Sequence, residues 1–353
     1  DFSNAKCILA IGTNTAEAHP VLAMKVRQTV RKGGAKLIVA DPMEVDFVRD
    51  ADLWIRHRVG TDVALLMGMC RVIVDEGLHD AAFIEARCEN FDAFKESLKD
   101  YPLDKVAEIT RVEPDLIVKA ARMFATDRPS MILYAMGICE HSHGTDNVIA
   151  NANLAMLTGN VGKPGSGVNP LRGQNNVQGS CDMGALPNVF PGYQPVSKEE
   201  VVKKFENAWG VKLSREPGSK LTEMFPAILE GEIKSMYIMG ENPVLTDPDI
   251  HHTREALSKL DFLVFQDIFF NETAEYAHVI LPAASFAEKD GTFTNTERRV
   301  QRIRKAIEPI GNSRDDWWIT CEIAKRMGGK GFEYSASAEI MEEIARLTPT
   351  YAG

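Results

Sequence analysis

Leu171-Arg172-Gly173-Gln174-Asn175-Asn176-Val177-Gln178-Gly179 is the run that decides how this chain is read. It sets one guanidinium and several carboxamides among glycines, on a backbone that a ligand can approach closely. A solvated connector needs none of these donors and acceptors. The polar stretch continues upstream through Thr158-Gly159-Asn160-Val161-Gly162-Lys163-Pro164-Gly165-Ser166-Gly167, and downstream through Cys181-Asp182-Met183-Gly184 to Pro191-Gly192-Tyr193. Loops of such length are functional or disordered. Met183, Leu186, Val189, Phe190 and Tyr193 are too apolar for a free linker, so the stretch reads as a loop built to hold something.

Working outward, the upstream flank opens with an apolar run, Cys7–Ile11, and the turn Gly12-Thr13-Asn14-Thr15. A helical pattern follows over 18–31, with Pro20 in its first turn and Gly33-Gly34 at its end. A second strand over 35–40 stops at Asp41-Pro42. This is a βαβ unit. Its first turn faces a helix start, which favours phosphate, and its second strand ends in a carboxylate suited to a ribose or a base. It lacks Gly-x-Gly-x-x-Gly, which weakens the reading as a nicotinamide dehydrogenase. Further strands are expected at 53–57 and 131–138, and helices at 63–76, 80–94, 113–125 and 145–157, with Gly60-Thr61-Asp62 as a helix cap. Such alternation predicts a parallel sheet covered on both faces.

Downstream of the loop, helices are expected at 199–209 and 222–230, and then the first pattern returns. A strand at 234–239 leads to Gly240-Glu241-Asn242-Pro243, a helix at 250–260 and a strand at 262–266 that stops at Asp267. A Gly-x-Asn turn and a strand-end aspartate thus recur at closely matching spacing in both halves. Two dinucleotides, or two halves of one large cofactor approached from opposite sides of the central loop, would suit that repeat. The fold class is α/β, with two αβα dinucleotide-binding domains, 1–174 and 175–353, and mostly parallel sheets. A short strand at 278–281 follows, then a dense polar motif over 282–301. Arg298, Arg299, Arg302, Arg304 and Lys305, taken alone, read as a solvated basic surface. Trp317 and Trp318, on a helix over 315–327, read as core.

With 353 residues, 44% of them hydrophobic and 25% charged, the chain has room for about two domains. Fifty acidic against 40 basic residues, a net charge of −10, argue against a nucleic-acid surface. No apolar run reaches the ~18–20 residues of a membrane span, and no signal-peptide pattern is present. The first residue is Asp1, so the chain reads as an excerpt of a longer one. Cys7, Cys70, Cys88, Cys139, Cys181 and Cys321 form no Cys-x-x-Cys pair and show no iron–sulfur or zinc spacing, as expected of a reducing, cytoplasmic compartment. Cys139, His141 and His143 have ligand chemistry, but a loop after a strand places such side chains with no ion required.

Thr158-Gly-Asn-x-Gly-Lys-Pro-Gly, the Arg172-Gly-Gln-Asn-Asn-Val-Gln-Gly-x-Cys-Asp-Met-Gly-Ala-Leu-Pro run, the Glu288-x-x-Gly-Thr-x-x-Asn-x-Glu-Arg stretch and the two turns together resemble the molybdenum enzymes that carry two molybdopterin guanine dinucleotides. Within that group the chain is most similar to the catalytic alpha subunit of formate dehydrogenases, over essentially its whole length. The resemblance implies two αβα domains related by an approximate twofold. It implies molybdenum or tungsten on a bis-molybdopterin guanine dinucleotide. The reaction would be the two-electron oxidation of formate to carbon dioxide, with Arg172 holding the carboxylate. Met136, Gln174 and Asn175 would line the pterins. Gly12, Asn14, Glu17 and Asp41 would hold one guanine dinucleotide, and Gly240, Asn242, Gln266 and Asp267 the other.

That family also has a cysteine-held [4Fe–4S] domain, then a selenocysteine or cysteine metal ligand followed by a histidine. None of these is in this sequence, so no metal ligand is assigned here. The chain is expected to be the central portion of the subunit, inactive by itself. Its segment near 285–305 would meet the missing iron–sulfur domain, and its partners would be electron-transfer subunits with iron–sulfur or flavin centres. The rivals are another molybdopterin oxidoreductase, such as a nitrate reductase, and a non-catalytic dinucleotide-binding scaffold.

Overall fold

A computed structural model describes residues 1–352, which divide into two compact units, 1–173 and 174–352. In the first, β1 (Cys7–Ile11) is followed by α1 (Thr15–Ala18), α2 (Pro20–Gly33), β2 (Lys36–Ala40), β3 (Leu53–Ile55) and α3 (Asp62–Asp75). The expected first helix is therefore two. Pro20 disfavours helical backbone at the residue before it, so His19 (φ −138°, ψ 62°) forms the break and α2 starts afresh with proline in its first turn. The expected helix over 80–94 is also split, into α4 (Ala81–Arg87) and α5 (Phe91–Ser97), by Asn90 in the left-handed region at φ 57°.

Then come α6 (Leu103–Thr110), absent from the sequence reading, α7 (Pro114–Thr126), β4 (Ser130–Tyr134), α8 (Met136–Cys139), α9 (Gly144–Leu157) and β5 (Gly167–Pro170). Two expectations change here. The strand expected to run to residue 138 stops at Tyr134, and part of the supposed loop, Gly167–Pro170, is an edge strand paired to β4. Its glycine, asparagine and proline hide it from any propensity scale.

The strand order is β3-β2-β1-β4-β5, all parallel. Cys7, Leu9 and Ile11 enter one core, with Leu65, Phe124 and Leu154; Ile8 and Ala10 enter the other, with Val26, Phe47 and Leu133. A central strand buried on both faces must be apolar throughout, as Cys7–Ile11 is. Because the chain leaves β1 toward β2 and returns on its other side as β4, a crevice opens where the strands β1 and β4 end. The turns there touch: the Gly137 N–H donates to the Gly12 carbonyl at 3.1 Å.

The second unit begins with α10 (Val177–Asp182), the short hairpin β6 (Val189–Phe190) and β7 (Gln194–Pro195), α11 (Glu199–Trp209) and α12 (Leu221–Leu229). Next are β8 (Ser235–Met239), α13 (Pro243–Thr246), α14 (Ile250–Ser258), β9 (Phe262–Asp267) and β10 (Val279–Pro282). The antiparallel hairpin β11 (Gly291–Thr294) and β12 (Val300–Ile303), α15 (Asp316–Arg326) and α16 (Ser337–Leu347) complete it. β10, β9 and β8 form a parallel three-stranded sheet. Its Ile238, Leu263 and Phe265 pack with Phe225 and Ile228 of α12 and Leu257 of α14. On the opposite face Tyr237, Met239, Phe262 and Val279 remain exposed. The tryptophans are not the expected core: Trp318 is exposed, with Arg314 over its ring, and Trp317 lines a cavity of about 690 Å³ beside Lys289 and Asp316.

A Cβ added to Gly137 would lie 2.6 Å from the Gly12 carbonyl oxygen, a backbone atom that cannot rotate away. Gly137→Ala is expected to cost about 2–3 kcal/mol, read as a fall of roughly 5–10 °C in the thermal midpoint of the first unit. An unchanged midpoint would show that the two turns can part freely.

Candidate functional site

In the first unit, the chain emerges from four strands at one sheet edge, and each exit carries a residue expected from the sequence. After β1, Gly12 (φ 56°) turns the chain, its N–H donating to the Ala40 carbonyl at 3.1 Å. The Asn14 amide then donates to Glu17 Oε2 at 2.7 Å, and Thr13 and Thr15 share a hydroxyl bond at 3.0 Å. α1 has only four residues, too few to supply a useful helix dipole. Any anion held here must therefore bind free N–H groups and side chains.

After β2, Asp41 accepts the Met43 N–H at 2.9 Å on one carboxylate oxygen. Burial pushes its carboxyl above the ordinary range, opposed by the Met43 bond and by His57, and reinforced by Asp62. After β4, Met136 is exposed at the start of α8.

After β5, the Leu171 N–H donates to the Tyr134 carbonyl at 2.8 Å, which directs Arg172 to the same edge. Arg172 is half-buried, and its guanidinium has no hydrogen-bond or ion-pair partner among the described residues. Its charge is felt by two neighbours: burial pushes the Tyr134 hydroxyl and the Cys139 thiol up, and in each case Arg172 offsets part of the rise. A half-buried cation without a carboxylate partner has the chemistry to take an anion.

The second unit repeats the arrangement. Gly240 (φ 64°) follows β8, its N–H donating to the Gln266 carbonyl at 2.9 Å, and a Cβ there would meet nothing within 4 Å. The Asn242 side chain is fixed at both ends, donating to Glu272 Oε2 at 2.8 Å and accepting from the Thr273 hydroxyl at 2.7 Å. Gln266 is fully buried; it accepts from the Tyr237 hydroxyl and donates to Asp316 Oδ1 at 2.7 Å, while Lys289 pairs with Asp316. Asp267 accepts the Ile268 N–H at 2.6 Å. Beyond it Ile268, Phe269 and Phe270 are exposed.

The amide-rich run divides its labour. Gln174 and Asn175 are exposed and make no side-chain bond among the described residues. Asn176 instead accepts the Thr294 N–H at 2.9 Å, and buried Gln178 donates to Asp182 Oδ1 at 2.7 Å. Asp182 also accepts from the Tyr351 hydroxyl at 2.8 Å. Glu288 is structural too: it takes the Ser285 and Ile310 N–H groups at 2.7 and 3.0 Å, which hold its carboxyl below the ordinary range.

Several participants escaped sequence reasoning. Asp62, read as a cap, instead accepts from buried His57 at 2.9 Å, and the other ring nitrogen of His57 is buried without a partner. Tyr237 and Asp316 bond the Gln266 side chain, Lys289 pairs with Asp316, and His19 meets the Arg172 carbonyl. Apart from His57–Asp62, five residues apart, these are long-range contacts with no local pattern to announce them. His141 is bonded to the Gly137 carbonyl at 2.9 Å, and among the described residues no three His, Cys, Asp or Glu side chains are grouped to hold a metal. No helix among them is long and apolar enough to cross a membrane.

A profile of the molybdopterin oxidoreductase family matches residues 1–326. Over its whole length the chain is 49% identical to an F420-dependent formate dehydrogenase subunit alpha of Methanocaldococcus jannaschii, covering 52% of that protein. It is 43% identical to a putative formate dehydrogenase of Bacillus subtilis, covering 36% of it. Acetylene hydratase from Pelobacter acetylenicus superposes with a TM-score of 0.79 at 26% identity, over 97% of this chain and 50% of that one. The chain thus spans about half the length, or less, of the curated relatives it matches.

Because folding raises the Asp41 carboxyl above its ordinary value, the folded state binds a proton more tightly than the unfolded one. Its contribution to stability therefore falls as pH rises from the ordinary carboxylate range through the raised value. Asp41→Asn is expected to melt higher than the parent at neutral pH and with it below about pH 3, followed by calorimetry across that range. A lower melting temperature at neutral pH would overturn this account of Asp41.

Proposed function

The chain belongs to the molybdopterin oxidoreductase family, and from that premise we propose that it is the cofactor-holding centre of a formate dehydrogenase catalytic subunit. The observation that carries the proposal is Arg172: a half-buried guanidinium with no carboxylate partner at the crevice edge of a parallel sheet. Fold alone would not carry it, since a hydratase shares the architecture.

The residues present fit a bis-molybdopterin guanine dinucleotide. Each unit offers a glycine turn with positive φ and a strand-end aspartate, and Gly240 leaves open space where a side chain would stand. Gly12, Asn14, Glu17 and Asp41 would hold one dinucleotide and Gly240, Asn242 and Asp267 the other, with buried Gln266 bracing that second turn from beneath, and Met136, Gln174 and Asn175 would line the pterins. When bound, the group with molybdenum or tungsten supplies a two-electron acceptor. The chain's own task is to bind and orient. Two parallel N–H donors of Arg172 match the two oxygens of formate, neutralise its charge and leave its C–H bond aimed along one direction. In a site from which water is excluded, that alignment and charge stabilisation carry much of the rate.

The exposed β11–β12 hairpin, with Arg298, Arg299 and Arg302 on its surface, is the segment proposed to meet the [4Fe–4S] part of the same subunit. Electrons would leave through partner subunits with iron–sulfur or flavin centres, in the cytoplasm.

In the full-length protein, Arg172→Lys keeps the charge but loses the fork. Formate kcat/KM is expected to fall about 10²–10³-fold with pterin content unchanged. Wild-type kinetics in that variant would remove Arg172 from the role. Nitrate reduction without formate oxidation by the parent protein would overturn the formate assignment.

A further inference from the structure

His19 is the helix-breaking residue between α1 and α2, yet its ring reaches across the unit to the segment after β5. Its Nε2 lies 2.6 Å from the Arg172 carbonyl oxygen, and its Nδ1 is buried with no partner. A carbonyl only accepts, so Nε2 carries the proton and donates. The backbone of His19 is itself fixed: its N–H donates to the Thr15 carbonyl at 2.9 Å and its carbonyl accepts from Ala23 at 2.9 Å. Pro20 sets the start of α2 behind it. The ring is thus a rigid strut between the first dinucleotide turn and the arginine.

Arg172 needs such a strut. Its guanidinium has no ion pair to set its direction, and Gly173 follows it with open space around the backbone. The Leu171 N–H is bonded to Tyr134, so the last β-type anchor precedes Arg172 by one residue. The His19 bond is the next one along the chain, on the carbonyl of Arg172 itself.

We propose that His19 is a positioning residue, which holds the Arg172 backbone so that the guanidinium is presented to the substrate carboxylate. This rests on the formate reading of Arg172. It adds a coupling: the turn that carries Asn14 and Glu17 and the arginine that meets substrate are one hydrogen-bonded piece.

The test uses the full-length enzyme with four variants. His19→Phe keeps the ring volume and removes the donor; His19→Gln restores an N–H; Arg172→Lys is measured alone and combined with His19→Phe. His19→Phe is expected to raise the formate KM about tenfold or more and to lower kcat/KM about 10²-fold, as a misplacement near 1 Å does, with pterin and metal content unchanged. His19→Gln should return KM to within about threefold of the parent. The double variant should lose little beyond Arg172→Lys alone, since the two residues act as a unit. Additive losses, or pterin loss in step with activity in His19→Phe, would overturn the positioning role. A wild-type KM in His19→Phe beside an impaired Arg172→Lys would remove His19 alone. A wild-type Arg172→Lys would instead remove the formate reading of Arg172 on which the proposal stands.

Discussion

The close approach of two backbones, at Gly12 and Gly137, is the constraint on which the first unit depends. Only where neither turn carries a side chain can the exits of β1 and β4 come within hydrogen-bonding distance, and a Cβ on Gly12 would sit 2.8 Å from Gly137. That contact sets the floor of the crevice. The Asn14–Glu17 turn, Met136 and the segment carrying Arg172 then have defined starting points, since each leaves the sheet within a few residues of the floor. Parallel strands supply the rest of the order. Their ends lie on one edge, so residues far apart in sequence share a rim without any further device.

The second unit reaches a similar rim by other means. Gly240 has no opposing glycine; its N–H is tied to the backbone of Gln266, whose buried side chain is bonded to Tyr237 and to Asp316, itself paired with Lys289. Asn242 is locked by Glu272 and Thr273, whereas Asn14 leans only on Glu17 within its own turn. The two turns look alike in sequence and are braced differently. In the first the brace is backbone packing, and in the second it is a side-chain network.

This difference explains what could be read from the sequence. The strands Cys7–Ile11, 36–40 and 262–267 and the helices at 62–75, 144–157 and 316–326 follow from apolar periodicity with clear stops, and both Gly-x-Asn turns announce themselves. The β5 edge strand does not, because Gly-Val-Asn-Pro owes its conformation to pairing with β4. Nor does α8, read as the continuation of a strand. In the central run, sequence alone treats every amide as a ligand group. Asn176 and Gln178 turn out to brace the fold through Thr294 and Asp182, whereas Gln174 and Asn175 stay unengaged. The partner of Asn176 lies 118 positions away and that of Gln178 one helical turn away, so no single local pattern separates the bracing amides from the free ones.

The solitary guanidinium of Arg172 also bears on selectivity. Charge alone does not tell one small anion from another: beyond the preference of the guanidinium fork for a planar pair of oxygens, chloride, sulfate or carbonate would compete with a carboxylate for such a site. Discrimination then falls to the walls of the rim. Width admits or refuses an anion by its radius, and a dry lining favours those that shed their hydration cheaply. The ionic composition around the protein becomes a competing ligand, so the effective strength of the site is a property of the medium as much as of the fold.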